Sequence, residues 1–453
     1  MLTHGPIRAL LVAFSWLISG LLLLGAIALV VNLSWFDATL HPDLERLKNV
    51  EPLSVADNAY PIALGFAAAD GMDPRAAGEN ILKALHGRFL HGGPITLNAE
   101  EMNALLGRTA KSDTWQNRFG SLDCNARVDL DCAERLVAEV TQSDAEDARL
   151  AVLLSRYESM IREKHFIESQ ERDVFTPGPP YGQIRGTGRL RLAMSLQQNS
   201  ASDVLIKAAE DFRFWTNMLR EGSTLVAKMV ALAGMQDTLD FVSALMRQRE
   251  LSETEIQAIH HFLRPLTAEE LDIGEAFTSE ARVAVLSDTP PVAMDSPWFI
   301  QWTLQKNATL NDMYSEIIIP MKFRSAMTPE AFFKQGAYKP LNHDLGELPL
   351  SLFNWGGHMA FRNASWDPEQ FVARTQDQNG RISLVMLQVE LEQKPGADIG
   401  TLLSLSRWRN PYTGEPMKYD AASHTIGFTC LHTAYHPPAL PDKCSVAIGP
   451  RVE

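Results

Sequence analysis

The stretch from 202 to 246 reads SDVLIKAAEDFRFWTNMLREGSTLVAKMVALAGMQDTLDFVSALM and decides the predicted fold. Apolar residues recur in it every three or four positions, which is the period of an amphipathic helix. The first stripe comprises Leu205, Ala208, Phe212, Trp215, Leu219, Leu225, Met229 and Leu232. After an interruption at Gly234, a second stripe comprises Leu239, Val242, Leu245 and Met246. We predict a helical hairpin whose methionines and aromatic rings pack in the core rather than line a ligand groove.

Helix-start signals recur on both sides of this hairpin. Asp73 precedes a proline, as a capping side chain does before the first helical residue. Residues 98–101, 143–146, 252–255 and 267–270 have the spacing of capping boxes. The glycines of GQIRGTG at 182–188 lack the strand-then-helix context of a phosphate site, so we interpret this segment as a flexible loop.

The composition of the chain changes after Val283, where prolines become frequent and helix signals become rare. The segment 381–392 fits helix and strand templates about equally well. Residues 410–420 combine turn chemistry with a short extended run, and 426–430 is its expected antiparallel partner. The predicted fold is therefore mainly α, with a small C-terminal α+β module that contains a β-hairpin.

The segment from Ala9 to Phe36 contains no Asp, Glu, Lys, Arg or His. A helix needs about 20 apolar residues to cross a bilayer, and Trp35 and Phe36 are placed as interfacial aromatic residues would be. We expect a cytoplasmic tail at 1–8 and a transmembrane helix at 9–36 that contacts the lipid bilayer. Cleavage as a signal peptide is the alternative, since Ala26 and Ala28 supply an A-x-A site.

The four cysteines form two local pairs, Cys124 with Cys132 and Cys430 with Cys444. Even numbers in local pairs are typical of disulfides, which persist in oxidising compartments; four buried free thiols are the alternative. No C-x2-C spacing occurs, so we predict no zinc site here. The cysteines favour a single-pass protein whose folded part faces an oxidising compartment such as the periplasm, with a helical periplasmic domain at 37–285 and a C-terminal α+β subdomain at 286–453.

The net charge of −14 and the isoelectric point near 5.4 argue against a nucleic-acid-binding function. Nucleic-acid binding needs a basic face that displaces counterions from phosphates, and this chain is strongly acidic. We therefore predict no nucleic-acid partner. Hydrophobic residues at 45% and charged residues at 21% are ordinary for a folded globular protein.

An ordered series of segments resembles a known family. It consists of the close cysteine pair, SRYESM at 155–160, KHF at 164–166, DFRFWTNMLR at 211–220, STLVAKM at 223–229, EEL at 269–271 and Gly-Glu at 274–275. This order is similar to a family of uncharacterised, single-spanning envelope proteins of proteobacteria, over about residues 40–450. The resemblance implies a bacterial inner membrane and brings no catalytic motif with it.

The C-terminal histidines are the first candidates for chemistry. His424, His432 and His436 lie around the second cysteine pair, and Asp420 is placed to orient one of them as in a histidine–carboxylate couple. The catalytic candidates are therefore His432, His436 and Asp420, and solvated loop histidines are the plain alternative. No P-loop, G-x-S-x-G, H-E-x-x-H or G-x-G-x-x-G motif is present, and no cofactor is predicted.

His260 and His261 are the candidate metal ligands, with Glu255, Glu269 and Asp272 near them in sequence. Adjacent helical residues point about 100° apart, so one surface and one half-buried histidine is the simpler interpretation. The acidic residues 269 and 270 fall in a first helical turn, where the helix dipole accounts for them.

Charged residues on the predicted hairpin form one more group. We expect Arg213, Arg220 and Lys228 to make a solvated face with Glu210 and Asp211.

Three functions remain open. The first is a membrane-anchored periplasmic scaffold, assembly factor or immunity-type factor that binds another envelope or secretion-system protein. The second is an envelope hydrolase built on the C-terminal histidines. The third is a lipid-binding or small-molecule-binding domain lined by the methionine-rich hairpin.

Overall fold

The computed structural model describes most of the chain. The described residues are 5–32, 34–50, 55–92, 94–108, 129–140, 147–198, 201–287, 303–337, 354, 356–359, 367–394, 396–431 and 444–449. The chain divides into two compact units. Unit 1 comprises Met1–Asn49, Ala281–Pro320 and Lys339–Asp367, and unit 2 comprises Val50–Glu280, Met321–Tyr338 and Pro368–Glu453. Each unit combines separate stretches of chain, whereas the sequence analysis divided the folded part at one point.

Among the described residues of unit 1, several helices lie in two distant parts of the sequence. They are α1 (Gly5–Val31), α2 (Pro42–Arg46), α14 (Lys306–Met313) and the π-helix Tyr314–Ile318. The carboxylate of Asp37 accepts hydrogen bonds from the backbone N–H groups of Asn307 and Ala308, at 2.9 and 3.1 Å. Asp37 thus caps α14, whose own N-cap residue has no side-chain capping bond.

The predicted helix at 9–36 has different limits in the structure. Helix α1 begins at Gly5 and ends at Val31, and Ser34–Phe36 forms a 3-10 turn, so a continuous helix to 36 is wrong. The last carbonyl of α1, on Val31, instead accepts a hydrogen bond from Gln305 Nε2 at 3.3 Å. Among the residues that the structure describes, no helix combines the length and the apolar character that a membrane crossing requires.

Unit 2 is mainly helical. Its first helices are α3 (Ala59–Leu64), α4 (Pro74–Leu90), α5 (Ala99–Leu105), α6 (Cys132–Glu139), α7 (Ala148–Arg162), α8 (Tyr181–Gln197), α9 (Ala201–Glu221) and α10 (Leu225–Gln248). Then follow α11 (Glu253–Phe262), α12 (Ala268–Leu271), α16 (Pro329–Gln335), α17 (Glu369–Glu392) and α18 (Ile399–Leu405). Two helices cross the boundaries between the units along the chain, α13 (Gly274–Leu286) and α15 (Ile319–Ser325).

The predicted helical hairpin is α9 and α10, and its apolar stripe lies in the core. The side chains of Leu205, Ala208, Phe212, Trp215 and Leu219 are all less than 5% exposed. Core packing of this stripe, as the sequence analysis expected, is therefore confirmed. Helices α8 and α17 pack against α10, and α8, α11 and α12 pack against α9.

The break in the hairpin lies at residues 222–224, not at Gly234 as predicted. Gly234 continues α10, and a Cβ there would lie 2.3 Å from the ring of Trp215. The glycine therefore serves close packing between two helices and does not end one. A glycine in a helical pattern suggests an interruption, but in this buried helix Gly234 makes room for a neighbouring ring, so the predicted interruption is wrong.

Two buried side chains hold the turn between α9 and α10. Glu168 accepts hydrogen bonds from the backbone N–H groups of Ser223 and Thr224, both at 2.9 Å, and Arg172 donates to it at 2.7 Å. From the other side, the ammonium group of Lys228 donates to the carbonyls of Leu219 and Arg220 at the end of α9. These bonds satisfy backbone groups that both helix ends would leave unpaired.

Several predicted helix starts are confirmed. The caps or capping boxes begin α4 at Asp73, α5 at Asn98, α11 at Ser252 and α12 at Thr267. The predicted box at 143–146 lies outside the described residues, and α7 is capped by Asp147. The flexible loop expected at 182–188 is wrong, because these residues belong to α8. There Gly188 admits the ring of Tyr157, whose oxygen would lie 2.5 Å from an added Cβ.

The C-terminal module contains a small antiparallel sheet. Its strands β1 (Lys418–Asp420), β2 (Thr425–Gly427) and β3 (Ser445–Ala447) lie in the order β1-β2-β3. Tyr419 faces Ile426 in the first pair, and Ile426 faces Val446 in the second. The predicted hairpin is confirmed and gains a third strand. The ambiguous segment 381–392 is the second half of helix α17.

The buried ammonium group of Lys228 predicts a pH dependence of stability. Burial lowers the pKa of Lys228 from 10.5 to about 8. Between pH 8 and 10.5 the unfolded chain binds this proton more tightly, so the free energy of unfolding should rise with pH, by about 3 kcal/mol from this group. Urea denaturation of wild type and Lys228→Met across this range should show the rise in wild type only.

The exposed Lys394 supplies the matched control. Lys394→Met should keep the wild-type pH dependence. If the free energy of unfolding rose with pH equally in Lys228→Met and wild type, the rise would not come from Lys228.

Candidate functional site

The structure describes one of the three predicted catalytic residues. His432 and His436 lie outside the described residues. Asp420 is exposed at the end of β1, where it accepts hydrogen bonds from the Ala422 N–H and the Ser423 hydroxyl at 2.9 and 2.7 Å. These bonds lower the pKa of Asp420 and give it a turn-stabilising position. The exposed His424 instead contacts the Tyr419 hydroxyl through Nδ1 at 3.2 Å.

His260 and His261 lie in the last turn of α11, the first half-buried and the second exposed. The carboxylates near them in sequence have other partners. Glu255 accepts hydrogen bonds from Ser252 and pairs with Arg249, and Asp272 accepts from Ser325. Within the described ranges, the group of side chains arranged as metal ligands includes neither histidine.

The charged face expected on the hairpin is partly wrong. Arg213 and Arg220 are exposed, but Asp211 and Lys228 are each 1% exposed. Asp211 pairs with the buried Arg191 of α8 at 3.1 Å. Burial raises the pKa of the Asp211 carboxyl to about 7. This carboxylate therefore holds α8 against α9 and does not belong to a solvated surface.

Unit 2 contains a small polar cavity between α10, α17 and β3. Its volume is about 20 Å³, which is room for about one water molecule. The polar residues that line it are Gln236, Asp240, Ser243, Arg247, Arg381 and Ser445. The other lining residues are leucine, valine and alanine. We take this cavity as a candidate functional site among the described residues, and none of its polar residues was predicted to be functional.

Asp240 and Arg247 connect the cavity to helix α6. The carboxylate of Asp240 accepts a hydrogen bond from the Ala133 N–H at 2.9 Å and so caps α6. Burial raises the pKa of this carboxyl well above its ordinary value, and the nearby Glu134 raises it further. Arg247 donates to Glu134 and to the Ser243 hydroxyl, at 2.8 and 2.7 Å.

Arg381 connects the cavity to the second disulfide. One guanidinium nitrogen donates to Gln236 Oε1 at 3.2 Å, and the other lies 3.9 Å from Cys430 Sγ. Cys430 is bonded to Cys444, as predicted, and Ser445 of the cavity wall follows directly. Cys132 is also disulfide-bonded, and its predicted partner Cys124 lies outside the described residues.

A buried carboxylate lies beside this disulfide. Asp377 of α17 accepts hydrogen bonds from the Leu431 N–H, at 2.8 Å, and from the Tyr412 hydroxyl. Its ligand atom and the two disulfide sulfurs all lie within 4.8 Å of one another. No local pattern marks Asp377 in the sequence, because its neighbours Thr375, Gln376 and Gln378 are polar and buried as well.

Comparison with protein-family models, curated proteins and solved structures finds no match to any of them. The functional interpretation therefore depends on the geometry of the chain itself.

Two buried aspartates on α10 lie in opposite electrostatic surroundings and make a matched pair. Asp237 pairs with Arg185 and Arg189, which lower its pKa, whereas burial raises the pKa of Asp240. A carboxyl with a raised pKa destabilises the fold increasingly as pH rises above about 4. Asp240→Asn should therefore be more stable than wild type at pH 8, and the difference should shrink toward pH 4.5.

Asp237→Asn should behave in the opposite way. It leaves two arginines without their carboxylate and should cost about 3–5 kcal/mol at pH 8. Urea denaturation at pH 4.5, 6 and 8 measures both variants. If Asp240→Asn lost stability at pH 8 as Asp237→Asn does, the two aspartates would not lie in opposite electrostatic surroundings.

Proposed function

We propose that this protein is held in a bilayer by α1 and that its folded units act in the bacterial envelope as a binding platform for another protein. The observation that carries the proposal is the exposure of α1. Leu21, Leu22, Leu23 and Leu24 are each more than half exposed. Four consecutive residues go once around a helix, so apolar side chains are exposed on all of its faces. Such a helix needs an apolar surrounding, which lipid supplies.

The length of α1 is consistent with this surrounding. Its 27 residues at 1.5 Å each give about 40 Å, against a hydrocarbon core of about 30 Å. The proposal depends on the exposure of these apolar side chains, because the described part of the chain holds no helix that is both long and apolar enough to cross a membrane.

The disulfide between Cys430 and Cys444 supports placement of the folded units in an oxidising compartment such as the periplasm. The buried charges support binding rather than catalysis. Glu168 with Arg172, Asp237 with Arg185 and Arg189, and Asp211 with Arg191 each join helices to one another or close a helix end. Among the described residues, these charges hold helices and helix ends together, and none of them lines the polar cavity.

The membrane anchor predicts where the protein is found after cell fractionation. Leu17→Arg with Leu21→Arg should release the chain from membranes, because an arginine near the bilayer centre costs about 2.5–3.5 kcal/mol. Leu405 of α18 is 77% exposed, and Leu405→Arg is the control that should stay in the membrane fraction. Extraction with carbonate, followed by immunoblotting, measures the three proteins. Release of wild type by carbonate would contradict the anchor.

The binding function predicts a partner in the same membrane. Photo-crosslinking from exposed positions of unit 2, such as Ile206 and Val226, should give one discrete adduct with an envelope protein. The chain without its first 36 residues should remain folded and should capture that same partner from detergent extracts. Chains that give no adduct from any exposed position in intact membranes would count against a scaffold and leave the hydrolase and the lipid-binding domain to be tested.

A further inference from the structure

Three potential metal ligands lie together at the disulfide of the C-terminal module. The sulfurs of Cys430 and Cys444 and a carboxylate oxygen of Asp377 are all within 4.8 Å of one another. All three side chains are less than 4% exposed. The sulfurs are bonded to each other in this structure, and a disulfide sulfur is not a thiolate ligand.

We propose that reduction of this disulfide creates a binding site for a thiophilic divalent cation such as Zn²⁺, with Cys430, Cys444 and Asp377 as its protein ligands. A dithiol reductant supplies two electrons and two protons. The Sγ–Sγ bond breaks to give two thiols while the reductant forms its own disulfide. The cation then binds both sulfurs as thiolates, and the two thiol protons pass to solvent.

The separation of the three groups suits a tetrahedral site. Zinc–sulfur bonds of about 2.3 Å place two sulfurs about 3.8 Å apart on one ion. Ligand atoms that already lie within 4.8 Å therefore need small movements once the sulfur–sulfur bond is broken. Three protein ligands leave one coordination position for water or another molecule.

Hydrogen bonds hold the carboxylate of Asp377, as they usually hold a carboxylate that binds a metal. Asp377 Oδ1 accepts hydrogen bonds from the Leu431 N–H, at 2.8 Å, and from the buried Tyr412 hydroxyl. Partners of this kind fix the orientation of ligating carboxylates in metalloproteins. One of the two donors, Leu431, directly follows Cys430 in the chain, so this hydrogen bond holds the carboxylate beside the segment that carries the sulfur.

The charges of the reduced site favour a divalent cation. Two thiolates and one carboxylate carry three negative charges, and the guanidinium of Arg381, 3.9 Å from Cys430 Sγ, carries one positive charge. The remaining two negative charges are buried, which is costly unless they are compensated. A divalent cation neutralises them. The polar cavity reaches the same place, because Arg381 and Ser445 line it.

Cobalt(II) is the probe, because thiolate ligation gives it an intense near-ultraviolet charge-transfer band. The full-length chain in detergent is reduced with a phosphine, which adds no competing thiol, and is titrated with Co²⁺. We expect the band to saturate at one Co²⁺ per chain, to disappear on addition of Zn²⁺ and to be absent from the oxidised protein. A reduced wild-type chain without the band, folded or unfolded, overturns the proposal.

The other cysteine pair, Cys124 with Cys132, supplies the matched control. Cys124→Ser with Cys132→Ser should keep the band, and Cys430→Ser with Cys444→Ser should lose it; the reverse result overturns the proposal. Asp377→Asn keeps an oxygen that can accept from Tyr412 and Leu431 but removes the charge. We expect it to weaken Co²⁺ binding at least about tenfold. If Asp377→Asn bound Co²⁺ as tightly as the wild type, the carboxylate would not be a ligand of the ion.

Discussion

The buried carboxylate of Glu168 accepts hydrogen bonds from the backbone N–H groups of Ser223 and Thr224, where α9 turns into α10. Without it, two helix-terminal donors and the charge of Arg172 would be buried without this partner, and such losses cost several kcal/mol. Since α8, α11, α12 and α17 pack on these two helices, a hairpin that opened at this turn would lose the surface that the others cover. Lys228 closes the same turn from the opposite side by binding the last carbonyls of α9.

Buried ion pairs set how neighbouring helices align on this hairpin. Arg185 and Arg189 lie one turn apart on α8 and both reach Asp237 of α10, while Arg191 reaches Asp211 of α9. Apolar side chains of suitable volume could fill the same space with similar stability. However, an apolar contact tolerates a shift along the helix axis, whereas a shift by one turn would separate these charges. We infer that the pairs specify the position of α8 more than they stabilise it.

The elements predicted from the sequence are those whose signals are local. Capping at Asp73, Asn98, Ser252 and Thr267 requires residues at most three positions apart, and the β1–β2 hairpin requires a short turn. The caps that Asp37 gives to α14 and Asp240 gives to α6 join residues 270 and 107 positions apart, so no local pattern reveals them. The cavity could not be predicted for the same reason, because α10, α17 and β3 meet only in the folded chain. The second disulfide was predictable from an even number of cysteines in local pairs, whereas Asp377 beside it was not.

The C-terminal module is attached to α17 by bonds of several kinds, and together they explain why so small a sheet keeps its place. Three strands of three residues each bury too little apolar surface to be stable alone. Gly380 lets the ring of Phe428 approach α17 so closely that an added Cβ would lie 2.3 Å from it. Asp377, one turn earlier, accepts from Tyr412 and Leu431 on either side of the hairpin. The disulfide then ties Cys444, the residue before β3, to Cys430 after β2, while β3 itself pairs with β2 and packs on α17.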